Sequence, residues 1–319
     1  MHRDGKGSSM SNLTSIRRQA RRAGRFAQRV LQRGWKRCAQ TVRPAAGPAQ
    51  PRFVFGCQRS GTTMLVRALD CSPDLWLYNE YHRAAFDDRL RLRSFEVIDR
   101  LIARCRAQQV LFKPLCDNQR ADRILEAYPT ARAIWIYRDY RDAVNSMIRL
   151  WGDDMLELVH RVVDGESCGS IDPADRLFSQ TGWAGARLSD SVLEGLASRR
   201  RPDLTAHEGA SLFWYLRTQY YYGLGLNRNP RVLLVRYEDL VQQPIEAFRK
   251  VYEHFDLPFD AQYVRSVSRE SVGKERFPAI DPKVSSWCAG LLARLDRDVA
   301  QQTPQRGEPA APSGIKLLG

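Results

Sequence analysis

The stretch Phe53-Val-Phe-Gly-Cys-Gln-Arg-Ser-Gly-Thr-Thr-Met-Leu65 decides how this chain is read. Three apolar residues lead into Gly56, a second glycine follows at Gly61, and Thr62 and Thr63 open an apolar pattern of helical spacing. A strand, loop and helix in that order aim successive backbone N–H groups and a helix N-terminus at an anion. A nucleoside-triphosphate loop reads G-x-x-x-x-G-K-[ST], and here Thr62 stands in the lysine slot. A triphosphate would need that lysine and Mg²⁺ to offset its charge. The loop instead offers the Arg59 cation and the hydroxyls of Ser60, Thr62 and Thr63, which suits one phosphate beside a group to be transferred.

Outward from this loop, short β-rich runs alternate with helical patterns. Arg52–Phe55, Val110–Phe112, Ala131–Tyr137 and Val232–Arg236 read as buried strands, with helices at 61–71, 118–128, 141–151 and 243–254. Such alternation predicts a parallel sheet between two helical layers, an α/β/α fold like that of P-loop NTPases. The stretch 152–230 interrupts the rhythm with helical, aromatic-rich sequence and reads as an insertion. Its Trp183, Trp214 and Tyr220-Tyr221-Tyr222 suit either core packing or an aromatic binding platform.

Two further segments carry chemistry. In Ile134-Trp-Ile-Tyr-Arg-Asp-Tyr-Arg-Asp-Ala-Val-Asn-Ser146 a strand ends at Arg138, and Ser146 follows on the early turns of a helix. That spacing can bring a guanidinium and a hydroxyl together at the carboxyl edge of the sheet, where α/β folds bind ligands. An arginine–aspartate cluster closing the strand explains the same residues. Val232-Leu-Leu-Val-Arg-Tyr-Glu-Asp-Leu240 is a buried strand running into an acidic turn.

Taken in order, these three motifs resemble the sulfotransferases that use 3′-phosphoadenosine 5′-phosphosulfate (PAPS), over about residues 51–277. The resemblance implies that Arg59, Ser60, Gly61, Thr62 and Thr63 hold the 5′-phosphosulfate. It implies that Arg138 and Ser146 hold the 3′-phosphate, and that Tyr237 takes the place of the family's Tyr-Glu-Asp-Leu tyrosine. Tyr140 stands where the family often has proline. Ser271, Gly273 and Arg276, with Lys274 between, loosely resemble its late nucleotide loop. The product would be adenosine 3′,5′-bisphosphate (PAP), and no metal is implied. The 152–230 insertion then lies on the acceptor side. The acceptor, a hydroxyl or amine on a saccharide, lipid, peptide or small molecule, is left open.

An acceptor hydroxyl needs a base. Glu80, 21 residues beyond Arg59, matches the glutamate of the tyrosylprotein and heparan types, and His82 is its rival. Lys113-Pro114 occupies the place where cytosolic sulfotransferases carry a histidine. Lys113 suits either a salt-bridged strand end or, beside Arg59, neutralisation of the departing bridge oxygen. His160, His207 and His254 are isolated and read as structural, and no cluster has metal-ligand spacing.

The net charge of +14 is concentrated rather than spread. Residues 1–50 hold twelve Lys/Arg against one acid, leaving only +3 on the other 269 residues. A nearly neutral body argues against nucleic acid as a partner. Residues 15–37 read as a basic amphipathic helix suited to an anionic membrane surface, a targeting segment or a solvated arm. Thr41–Arg52 reads as a Pro/Ala/Gly linker and 303–319 as a disordered tail, leaving 51–302 as the folded domain. Seven cysteines without a CxxC pair suit a reducing compartment. No signal peptide or apolar run of membrane-spanning length occurs, so a cytoplasmic protein, free or peripheral on a membrane, is expected. Two readings compete with sulfonyl transfer: a P-loop kinase of a small metabolite, and a non-catalytic, membrane-associated nucleotide-binding protein.

Overall fold

A computed structural model of the chain describes residues 34–38, 40–42, 47–152, 204–268, 270 and 272–302. Among them, the strands β1 (Gln50–Gly56), β2 (Leu75–Tyr78), β3 (Gln109–Phe112), β4 (Arg132–Tyr137) and β5 (Val232–Arg236) form one sheet in the order β2-β3-β1-β4-β5. Every pairing is parallel, with Phe53 opposite Phe112 and Val54 opposite Ile134. The helices, in chain order, are α1 (Thr62–Leu69), α2 (Phe95–Arg104), α3 (Ala121–Ala127) and α4 (Tyr140–Trp151). They continue as α5 (Ala206–Gly223), α6 (Tyr237–Gln242), α7 (Pro244–His254) and α8 (Pro282–Gln302).

A strand covered on both faces needs apolar residues at consecutive positions, which is why Phe53, Val54 and Phe55 run together. Phe53 and Phe55 point to a core built with α2, α3, α4, α5 and α8, whereas Val54 points to one built with α1, α6 and α7. The result is the expected three-layer α/β/α fold with a central parallel sheet. Between β1 and β4 the connections run to opposite sides of β1, creating a switch point at the carboxyl ends of the strands.

Some elements depart from the sequence reading. The helix expected at 118–128 is preceded by a 3₁₀ segment over Leu115–Arg120 and begins only at Ala121. The side chains of that segment are needed elsewhere: Asp117 Oδ2 accepts from the Leu92 N–H at 2.7 Å, and Asn118 binds Gly56. β2, α2 and α8 had no clear signature in the sequence. In the 152–230 stretch, α5 opens on a capping box between Thr205 and Glu208. It buries Trp214, Tyr220 and Tyr221 against the sheet layer, so these aromatics are core and not an exposed platform. Tyr222 packs edge-on to Tyr221 and donates its hydroxyl to Asp298.

Residues 153–203, with Trp183 and His160, lie outside the described residues, as do 1–33 and the 303–319 tail. No helix among the described residues is long and apolar enough to cross a membrane.

Candidate active site

β1 ends at Gly56, and the next five residues turn into α1. The turn demands unusual backbone angles: Gly56 has φ 143°, Arg59 φ 65° and Gly61 φ 89°. Glycine is required at two of these positions for space as well. A Cβ on Gly56 would lie 2.2 Å from the Ile136 carbonyl oxygen, and one on Gly61 would lie 2.1 Å from the Tyr237 ring. Arg59 is not glycine yet adopts the left-handed conformation, a strained choice of the kind that gathers at ligand sites. Asn118, buried beneath the loop, accepts from the Gly56 N–H at 3.4 Å and donates to its carbonyl at 2.6 Å. The loop is therefore fixed from below while its upper side faces the switch point.

Arg59 is the hub. Its Nε donates to Ser146 Oγ at 3.0 Å, and its carbonyl accepts from Arg138 Nη1 at 3.5 Å. Arg138 and Ser146, eight residues apart on the β4–α4 junction, thus meet on opposite sides of one loop residue. The Arg138 guanidinium also sits 4.6 Å above the Tyr237 ring and 3.5 Å from Asp142. Burial lowers the Arg59 pKa from its usual value, and the neighbouring charges of Arg138 and Arg149 lower it further. Three cations crowding one loop are an arrangement that a bound anion would relieve.

Ser60 is fully buried, and its Oγ has no hydrogen-bond partner among the described residues. A buried hydroxyl without a partner costs free energy unless a ligand completes it. The donor set — loop amides, the start of α1, Ser60 Oγ and the Arg59 cation — fits a phosphate. Thr62 is buried at the first position of α1 and Thr63 is exposed beside it.

A second group adjoins the loop. β2 ends at Tyr78, and Glu80 turns inward to place Oε1 2.7 Å from Lys113 Nζ, just past the end of β3. Lys113 Nζ also donates to Thr63 Oγ1 at 3.0 Å, which ties the pair to the loop. Burial lowers the Lys113 pKa, and Glu80 opposes that shift without cancelling it. Glu80 Oε2 is buried and has no hydrogen-bond partner among the described residues. His82 does not share this position. The chain turns at 79–82, with the His82 N–H bonding the Asn79 carbonyl, and the imidazole packs edge-on against Tyr78 at 4.7 Å.

The late loop meets the site through α4. The Gly273 N–H bonds the Asp142 carboxylate at 2.9 Å, Asn145 donates to the Glu275 carbonyl, and Arg149 pairs with Glu275 at 2.5 Å. Lys274 and Arg276 are exposed on this loop. Ser271 lies outside the described residues. Asn118, Asp142 and Arg149 were not identified from sequence, because each acts on a segment far away in the chain. Among the described residues no three metal-ligating side chains gather.

The family model for the sulfotransferase domain matches residues 50–275. None of the curated proteins matches the chain. Among solved structures, a sulfotransferase from Alicyclobacillus acidocaldarius is 17% identical, with 80% of this chain and 97% of that one covered and a TM-score of 0.43. The sulfotransferase domain of the curacin biosynthetic pathway is 14% identical, covering 79% and 99%, with a TM-score of 0.45. A mouse sulfotransferase in complex with PAP is 13% identical, covering 79% and 87%, with a TM-score of 0.38.

Proposed function

The chain belongs to the sulfotransferase domain family, and from that premise we propose that its donor is PAPS and its acceptor a hydroxyl or an amine. The observation that carries this reading is the Arg59–Ser146–Arg138 cluster around a lysine-free anion loop with an orphaned Ser60 hydroxyl. Ser60, Gly61, Thr62 and Thr63 would hold the 5′-phosphosulfate. Arg138 and Ser146 would hold the 3′-phosphate, Tyr237 would back the loop, and Ser271 and Lys274 would bind the nucleotide.

PAPS brings its own activated sulfonyl group, so the chain's task is to orient it, take a proton and neutralise charge. Glu80 is the base: Oε2 has no hydrogen-bond partner among the described residues and accepts the proton of the acceptor hydroxyl. As the new S–O bond forms, the bond from sulfur to the bridging oxygen breaks, and its electron pair leaves on PAP. Arg59 and Lys113 offset the charge that develops on that oxygen. Lys113 is held in place by Glu80 and Thr63, so its charge is preorganised.

We assign the transfer to a domain over 51–302, with 1–50 as a basic arm and linker and 303–319 as a tail. A cytoplasmic enzyme held peripherally at a membrane by the arm belongs to the same proposal.

Sulfur-labelled PAPS incubated with the protein and separated lipid, glycan, protein and small-molecule fractions tests the reading. Label should enter one fraction, and Arg59→Ala should cut incorporation by about 100-fold or more. Absence of label from every fraction, or incorporation that Arg59→Ala leaves intact, would contradict it.

A further inference from the structure

The described end of the basic segment is anchored, and the way it is anchored leaves one face outward. Residues 34–38 and 40–42 are helical. Lys36 is 1% exposed and places Nζ 2.7 Å from the Asp70 carboxylate and 2.8 Å from its carbonyl. Gln40, one turn later, donates to the Pro73 carbonyl at 2.7 Å. These bonds hold the helix against the turn between α1 and β2.

At about 100° per residue, Trp35, Cys38 and Val42 fall on the side opposite Lys36 and Gln40. All three are exposed, Trp35 at 55% and Val42 at 79% of their full surface. Beside this apolar stripe runs a cleft of about 360 Å³ lined by Arg37, Trp76, Tyr78, Arg104 and Arg106. Arg106 donates to Thr41 at 3.3 Å, and the Arg37 guanidinium lies 5.6 Å from the Trp76 ring centroid. None of the three arginines is ion-paired among the described residues.

We propose that this surface docks on an anionic bilayer, with Trp35 and Val42 entering the interface and Arg37, Arg104 and Arg106 meeting lipid phosphates and carboxylates. A tryptophan on an exposed helical stripe beside unpaired cations is the chemistry of an interfacial helix. The positive charge of residues 1–50 complements the surface potential of anionic lipid. A nucleic-acid partner has less support, because duplex DNA offers phosphates but no apolar layer for Trp35 and Val42.

The location has a consequence. Asp70, Pro73, Arg104 and Arg106 all precede strands, so the docked helix sits at the edge where β2 and β3 begin, and the cleft beside it runs along β2 through Trp76 and Tyr78. The anion loop lies at the edge where the strands end. If the domain transfers sulfonyl groups as proposed, docking through Trp35 and Val42 leaves the nucleotide site at the opposite edge of the sheet, open to water.

Co-sedimentation with phosphatidylcholine vesicles, with and without phosphatidylserine, tests the docking, with PAP calorimetry on every protein as a separate readout. The full chain should pellet with the serine-lipid vesicles and bind PAP equally well with them present. Trp35→Ser/Val42→Ser and Arg37→Glu/Arg104→Glu/Arg106→Glu should each weaken partitioning by about tenfold or more while leaving PAP affinity unchanged. Variants that sediment like the unaltered protein, or vesicle binding indifferent to phosphatidylserine, would overturn the proposal. Retention on duplex DNA with no vesicle binding would do so too, in favour of nucleic acid. Failure of the unaltered protein to bind PAP would strike the donor assignment and leave the vesicle result standing.

Discussion

Ser60 and Glu80 each bury an oxygen that no described protein group satisfies, and each makes a separable prediction. Under the proposed function, the partner missing from Ser60 is the donor phosphate. Ser60→Ala should leave the melting temperature of the free protein unchanged or slightly higher, since an unsatisfied buried group is removed. It should weaken PAP binding by about tenfold, as measured by calorimetry, because a charge-assisted hydrogen bond is lost. A structural hydroxyl would give the reverse pattern, a lower melting temperature with unchanged affinity. Under the same proposal, Glu80 Oε2 awaits the acceptor's proton. Glu80→Gln should lower turnover by about 100-fold or more while PAP affinity stays within a few-fold. Equal losses in both would mean that the carboxylate serves only to hold Lys113, 2.7 Å away. At this scale the loop residues were legible in the sequence, because two glycines after an apolar run limit what the backbone can do. Asn118 and Asp142 were not, because their partners are the backbone of Gly56 and Gly273, 62 and 131 residues distant.

Among the elements, those with continuous apolar runs read true and those with mixed surroundings did not. β5 was expected at Val232–Arg236 and occupies those residues. β2 has only four residues at the sheet's edge, too few to establish a period. α5 is apolar nearly all round, so it resembled an insertion until its burial between α4 and α8 explained the composition. α7 carries a prediction of its own. At its end, His254 donates Nε2–H to the Ala133 carbonyl of β4 at 2.9 Å, and burial pulls its pKa below the ordinary 6.5. A histidine held neutral in the fold contributes stability that is fully present above its unfolded pKa and is lost as pH falls through the lowered folded value. The melting temperature should therefore drop as pH falls from about 7.5 to 5. His254→Gln, which keeps an amide donor and does not titrate, should flatten that drop. Parallel curves for the two proteins would remove His254 from the acid response.

Across the whole molecule, the switch point of the sheet explains why residues from five segments converge. β1, β3 and β4 all end there, so Arg59, Lys113 and Arg138 arrive at one edge without any of them being near another in sequence. Glu80 joins them from the turn after β2, and Tyr237 from the start of α6. The order of motifs made this convergence legible. The pairing of Glu80 with Lys113 depended on the turn at 79–82, which no pattern in the sequence announced. Under the proposed function, the lysine-free loop is complete for a donor carrying one phosphate beside its transferable group. Isothermal titration of the purified protein with PAP in metal-free buffer tests it most directly. Saturable one-to-one binding is expected, which added Mg²⁺ does not strengthen and which Arg59→Ala abolishes or greatly weakens. No heat with PAP, alongside Mg²⁺-dependent binding of ATP, would contradict it.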